Sequence, residues 1–169
     1  MSGLVTFTVD TPRGALRCAA TEKGLALVAL PGSDWRRQLA RLAKVHGAPA
    51  AAESHPAAKE LRAYVGGKRR TFTVPVDLEL ATPFARKVLT QLHRLPAGKL
   101  TTYGDLAMAV GRPKGARAVG GAVGSNPVPV VVPCHRVVAS NGLGGFGGGL
   151  PMKRWLLRLE GVDPDALPR

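Results

Sequence analysis

The sequence predicts an α+β chain in two parts: a small antiparallel-sheet domain over residues 1–78 and a mostly helical domain over residues 79–169. Three observations carry this expectation. Apolar residues alternate with a period of two near the N-terminus, they recur at helical spacing beyond about position 82, and a Thr-Pro pair marks the change. A chain of 169 residues with 45% hydrophobic content can bury a real core.

Val5, Phe7 and Val9 alternate with Thr6 and Thr8, which reads as a strand. Thr11-Pro-Arg-Gly14 is a turn, Ala15–Ala20 a second strand, Thr21-Glu-Lys-Gly24 a further turn, and Leu25–Leu30 a third, more buried strand. Ser33 or Asp34 caps a helix through about His46, with Trp35, Leu39 and Leu42 facing inward. Pro56–Val65 is a second short helix, and Phe72, Val74, Val76 and Leu78 suggest one more strand. Nothing in this half is arranged for chemistry.

Beyond a boundary near residues 77–82, Thr82 is an N-cap followed by proline at the first helical position, with Phe84, Val88 and Leu92 on one face. Thr102-Tyr-Gly-Asp105 resembles a capping box that uses Asp, opening a short helix with Leu106 and Val110 inward. Gly111-Arg-Pro113 turns into a second helix, Lys114–Gly124, and the pair has the helix-turn-helix pattern. Ala116, Val119, Gly120 and Val123 form the inner face of that helix; Lys114, Arg117, Ala118 and Gly121 form the other. A face so short of bulk suits tight helix packing or close approach to a DNA groove, and its basic charge favours the groove.

The formal charge is +13, and from Ala81 to Leu159 there are eleven Lys or Arg against one acid, Asp105. Such one-sided charge is the footprint expected for a polyanion, nucleic acid above all. No run of about 18 apolar residues occurs, so no membrane partner is expected. Met1–Asp10 lacks the basic start and apolar stretch of a signal peptide, which predicts an intracellular, cytoplasmic protein. Cys18 and Cys134 belong to no C-x-x-C pair and are expected as free thiols, Cys18 as a small core residue. The histidines at 46, 55, 93 and 135 do not stand with cysteines at zinc-ligand spacing, so neither metal nor cofactor is expected.

Asn126-Pro-Val-Pro129 cannot continue a helix and leads into Val130-Val-Val-Pro-Cys-His-Arg-Val-Val138. This reads as a buried strand interrupted by Pro133 just before Cys134, His135 and Arg136. A cysteine in apolar company is often inert, and neighbours on an extended chain point opposite ways. The following loop, Asn141–Gly149, carries one aromatic amid glycines and is either a flexible linker or a lid; it lacks the G-K-[ST] ending of a phosphate loop. Pro151 then opens a helix with Met152, Trp155, Leu156 and Leu159 as its buried stripe, and Gly161 closes it.

Pro133-Cys-His-Arg-Val137, preceded by Asn126-Pro-Val-Pro129 and Arg117-Ala-Val-Gly-Gly121, resembles the O6-alkylguanine-DNA alkyltransferase family in order and spacing across Thr82–Gly161. Thr11-Pro-x-Gly14 and Gly24-Leu25 resemble the family's smaller, RNase H-like domain less specifically. The resemblance implies that Cys134 accepts the alkyl group, that His135 takes the thiol proton through a water, and that Glu160 holds the imidazole. It implies that Asn126 braces the turn behind Cys134, that Arg117 enters the base stack where the damaged nucleotide leaves, and that Tyr103 sits beside the flipped base. Thr102, Lys114, Ala116, Ala118, Gly120 and Gly121 would lie against DNA. Pro129, Val137, Leu143, Phe146, Gly147 and Gly148 would wall the base pocket.

The implied partner is double-stranded DNA carrying O6-alkylguanine, with O4-alkylthymine a second candidate lesion, bound by a monomer. A thiolate suits attack at an sp3 carbon, and a thiol of pKa about 8.5 needs a base to form it. Reaching O6 requires flipping the base, and a thioether product implies a single turnover. One departure stands out: Phe146 occupies the loop position where the family usually has tyrosine, so a hydroxyl is lost and N–H groups near Gly147 and Gly148 are expected to compensate. Two other readings remain open, a non-catalytic alkyltransferase-like lesion binder and a cysteine hydrolase. The first usually replaces the acceptor cysteine, and the second leaves the basic helix-turn-helix without a role.

Overall fold

A computed structural model describes residues 3–52 and 54–167. The chain divides into two compact units, one ending at Leu80 and the other beginning at Ala81.

The first unit is built on a four-stranded sheet in the order β3-β2-β1-β4. β1 (Val5–Thr11) and β2 (Gly14–Thr21) form an antiparallel hairpin in the register Val5↔Ala20, and β3 (Gly24–Ala29) pairs with β2 across a bulge at Ala19/Ala20. The period of two thus sets Phe7 and Val9 into the core while Thr8 and Asp10 face water. β4 (Ala50–Ala51) joins β1 in parallel, so the sheet is mixed at that edge; two alanines carry no strand signal in the sequence. The Asp34 side chain accepts the Arg37 N–H to start α1 (Trp35–His46), whose Leu42 packs with Leu4, Ala19, Ala26, Leu27 and Ala29, flanked by Trp35 and Leu39. α2 (Pro56–Val65) follows.

The strand expected over Phe72–Leu78 does not form. Pro75 has no N–H, and the Glu60 carboxylate of α2 takes the N–H groups of Thr73 and Val74, so a ladder cannot propagate. What remains is one bridge to the β3 edge, with Leu25 N–H donating to Pro75 O (2.9 Å) and Asp77 N–H to Leu25 O (2.8 Å).

In the second unit Thr82 caps α3 (Pro83–His93), which buries Ala85, Val88, Leu89 and Leu92. Phe84 is only half-buried, beneath the Arg112 guanidinium at 4.8 Å. β5 (Thr101–Thr102) leads directly into α4 (Tyr103–Ala109), where Thr102 Oγ1 accepts the Asp105 N–H at 3.1 Å. α5 (Ala116–Gly124) starts two residues later than expected, after Gly115, and packs on α4 and α3. Its buried face is Val119, Ala122 and Val123; Ala116 and Gly120, expected inside, are half-exposed. After a 3-10 turn (Cys134–Arg136), β6 (Val137–Val138) pairs in parallel with β5, and α6 (Leu150–Leu159) and a last 3-10 turn (Pro164–Ala166) close the unit. Among the described residues no helix is long and apolar enough to cross a membrane.

Gly24, at φ +144°, starts β3 where an added Cβ would stand 2.4 Å from the Pro75 carbonyl oxygen. Gly24→Ala is expected to destabilise the protein by at least about 1–3 kcal/mol from backbone strain, with the steric overlap added. Urea denaturation monitored by circular dichroism reads the loss.

Candidate active site

Cys134 is reached through a segment made rigid by the groups it lacks. α5 ends at Gly124, and the Asn126 side chain then closes the next stretch on itself: Nδ2 donates to Val132 O and Oδ1 accepts the Val128 N–H, both at 2.9 Å. Pro127, Pro129 and Pro133 remove donors that would otherwise compete. Val130 is held at φ +76°, a costly conformation for a β-branched residue that persists only because the surroundings over-determine it.

The strand expected around Cys134 is instead a 3-10 turn. Cys134 N–H donates to Val132 O (2.8 Å) and Arg136 N–H to Pro133 O (2.9 Å), so these carbonyls are spent locally. The alternation of an extended chain therefore does not separate the Cys134 and His135 side chains. β6 then registers Val137 against Thr101, which brings the start of α4, and Tyr103, beside the turn.

Glu160 is the C-cap of α6, 1% exposed. Gly161, at φ +82°, makes the left-handed cap that ends the helix there, with Val162 N–H returning to Leu157 O and Gly161 N–H to Arg158 O. A carboxylate at a helix C-terminus opposes the dipole, and burial adds a larger cost. Arg136 offsets both with a fork: Nε donates to Oε1 and Nη2 to Oε2, each at 2.8 Å, while Nη1 donates to Leu95 O. The same carboxylate stands 2.9 Å from Nε2 of His135, whose ring is 0% exposed. An ionised carboxylate only accepts, so Nε2 carries the proton and the lone pair lies on Nδ1. Nδ1 has no hydrogen-bond partner among the described residues. Burial lowers the imidazole pKa, and the Glu160 contact opposes that shift.

The Cys134 thiol is 8% exposed and its pKa is pushed up to about 11 by burial. The Asn126 side chain, the nearby N–H groups and the positive charge of Lys153 pull the other way. Lys153 is 0% exposed, and its ammonium donates to Val137 O (2.7 Å), Leu143 O (2.7 Å) and Gly145 O (3.0 Å). It therefore ties the glycine-rich loop to the strand that follows Cys134. The sequence reading missed it by treating Trp155 and Leu159 as inward; the buried positions of α6 are Met152, Lys153, Leu156 and Leu157. A usable signal existed, since Lys153, Leu157 and Glu160 are spaced i, i+4, i+7 on one helix face.

The structure brings Cys134, His135, Glu160 and Asn126 together, and Tyr103 lies close enough for the cysteine's charge to raise its phenol pKa, behind burial as the main cause. A Cβ on Gly120 would meet the Tyr103 ring at 3.8 Å, so α5 and Tyr103 abut. Lys114, Arg117, Ala118 and Gly121 are exposed, and Thr102, Ala116 and Gly120 are half-buried. Of the expected pocket wall, Pro129 and Val137 are buried, Leu143, Phe146 and Gly148 half-buried, and Gly147 exposed. Cys18 and Cys134 are both free; Cys18 lies in the sheet core with its thiol pushed up to about 12 by burial.

Comparison with known proteins adds independent findings. Residues 4–78 match the family described as 6-O-methylguanine DNA methyltransferase, ribonuclease-like domain, and residues 83–162 match its DNA binding domain. A methylated-DNA–protein-cysteine methyltransferase of Shigella flexneri is 36% identical over 168 residues, covering 95% of this chain and 98% of the relative. A constitutive methylated-DNA–protein-cysteine methyltransferase of Bacillus subtilis (strain 168) is 37% identical over 160 residues, covering 92% and 94%. The crystal structure of Mycobacterium tuberculosis OGT in complex with DNA aligns with a TM-score of 0.78 at 33% identity, covering 98% of this chain and 95% of that one.

Removing the Glu160 carboxylate leaves the buried Arg136 guanidinium uncompensated. Glu160→Ala is expected to cost about 3–5 kcal/mol of stability, and Glu160→Gln less, since it keeps an acceptor. Thermal unfolding of both variants checks the order.

Proposed function

The chain belongs to the 6-O-methylguanine DNA methyltransferase family, and from that premise we propose how its residues carry out direct-reversal DNA repair, the transfer of an alkyl group from DNA to a cysteine of the protein. The observation that carries the assignment is the buried His135–Glu160 pair beside Cys134. We assign residues 1–78 as a supporting domain and residues 79–169 as the part that binds DNA and performs the transfer.

At neutral pH Cys134 rests as a thiol, so it is activated only as it reacts. His135, neutral because burial disfavours its charged form, takes the proton on Nδ1 through a water. Nε2–H remains on Glu160, whose charge stabilises the imidazolium, the arrangement of a nucleophile, a base and an orienting acid. Asn126 and the Lys153 charge favour the developing thiolate. Sγ then attacks the alkyl carbon on O6, the C–O bond breaks, and guanine takes back one proton as it leaves. The thioether on Cys134 has no acyl-type bond for water to cleave, so each molecule acts once.

O6 lies within the base stack and Cys134 is almost enclosed, so the lesion is brought out of the duplex at a cost of a few kcal/mol. Arg117, exposed on α5, fills the space left behind, while Lys114 and the Thr102–Tyr103 corner hold the backbone. Ala118 and Gly121 keep that face of α5 thin, and Ala116 and Gly120 flank it. Pro129, Val137, Leu143, Phe146, Gly147 and Gly148 wall the base, with the loop held in place by Lys153. On this reading the protein works as a monomer in the cytoplasm, associated with the nucleoid, and needs neither cofactor nor metal for transfer. O4-alkylthymine is the second lesion to assay.

Intact mass after mixing with a duplex bearing one O6-methylguanine should show one added methyl, absent from Cys134→Ser. Tight binding without added mass would make the protein a lesion binder instead. Because burial lowers the His135 pKa below 6.5, the single-turnover rate should hold steady down to about that pH and fall only below it, as the base becomes protonated. Phe146→Tyr restores a hydroxyl to the pocket wall and is expected to raise that rate; an unchanged or lower rate would remove Phe146 from the chemistry.

A further inference from the structure

The helix that opens the second unit carries a cationic stripe that the transfer reaction leaves unused. α3 turns Ala85, Val88, Leu89 and Leu92 inward. On its opposite side Pro83, Arg86, Lys87, Thr90 and Arg94 are exposed and Gln91 is half-buried, and together they line an open groove of about 430 Å3. Steps of three and four residues set them on one face, and Arg86 to Arg94 covers about 12 Å of helix axis. Arg86 Nη2 donates to Ala81 O at 3.2 Å, which steadies the guanidinium at the edge of the groove.

An ordinary solvated helix face mixes signs, because an acid four residues before a base adds a little stability. α3 contains no acid, and among the described residues Arg86, Lys87 and Arg94 form no ion pair. Arg86 and Lys87 also stand towards the N-terminal end of α3, where the helix dipole disfavours positive charge. Arginine, lysine, threonine and glutamine are all side chains that contact phosphate oxygens. The stripe holds no large apolar side chain, so it lacks the anchor that a protein partner or a membrane surface needs.

α3 packs on α5, which buries Val119, Ala122 and Val123 and exposes Arg117, Ala118 and Gly121. With the buried stripes facing each other, the solvent faces of the two helices point in opposite directions, and one straight duplex cannot lie along both. We propose that the exposed stripe of α3 is a second DNA-binding surface, holding the phosphates of another duplex segment without reading its sequence; this rests on α5 being the face for the lesion-bearing duplex. Duplex DNA carries one negative charge per about 1.7 Å of axis, so the stripe can meet several phosphates at once. A second hold lets the protein pass between neighbouring segments without dissociating, which suits a molecule that searches long DNA and acts once.

Full-length protein mixed with an excess of short undamaged duplex at low salt, and read by sedimentation, should carry two duplexes per protein. Three cations imply a salt slope of about −2.7 for the weaker site, roughly a sixfold loss of affinity for each doubling of salt. The double variant Lys87→Glu/Arg94→Gln should carry one duplex, yet transfer methyl from an O6-methylguanine duplex at the wild-type single-turnover rate. Arg117→Ala separates the two readings: it should slow transfer while α3 still takes up its duplex, whereas unchanged transfer removes the α5 reading without altering the duplex count. The proposal is overturned if the wild type holds a single duplex at every salt concentration or if the double variant still holds two. Loss of transfer in the double variant also overturns it, by placing α3 in the footprint of the first duplex.

Discussion

A carboxylate has been placed where helix geometry and burial both disfavour it, and the second unit is organised around satisfying Glu160. Arg136 donates two N–H groups to it in a fork, and the guanidinium's remaining arm reaches Leu95 O, so one charge pair ties the end of α6, the turn after Cys134 and the segment after α3. Replacing such a pair with apolar side chains often costs a protein little, which makes stability a poor reason for it to exist. Its value lies in His135: a fixed, ionised acceptor at Nε2 decides which ring nitrogen is basic.

Burial and reactivity pull against each other at Cys134. An enclosed thiol is protected from water but resists ionisation, as its raised pKa shows. The Asn126 amide and the buried Lys153 ammonium favour the thiolate against that burial, and Glu160 fixes the neighbouring imidazole. Lys153 serves twice, because the three carbonyls that hold its ammonium belong to β6 and to the glycine-rich loop. Packing of α6 and placement of that loop are therefore one problem, not two.

Acids away from solvent are satisfied in more than one way. Glu160 is compensated by arginine, and Glu60 is satisfied by Thr73, Val74 and Arg69. Asp77 accepts from the Thr21 hydroxyl and the Glu79 N–H, and the Glu79 carboxylate meets the His46 imidazole.

What the sequence by itself determined is whatever depends on neighbours along the chain. The hairpin of β1 and β2 follows from alternation, the caps at Asp34 and Thr82 from local side-chain acceptors, and the helix-turn-helix from two short apolar periods joined at a glycine. Cys134 and His135 stand out because their motif is contiguous. Tertiary structure decided what depends on competition for hydrogen bonds and charge between distant segments. Residues 72–78 lose their strand because Glu60 takes N–H groups the ladder needed, and Cys134 sits in a 3-10 turn because Pro133 withholds one. Lys153 looks like an ordinary surface lysine until three carbonyls converge on it, and His46 finds its hydrogen-bond partner only when α1 ends beside Glu79. Local patterns specify backbone conformation; the protonation and partnership of a buried polar group belong to the whole fold, because only the fold determines who is left to satisfy it.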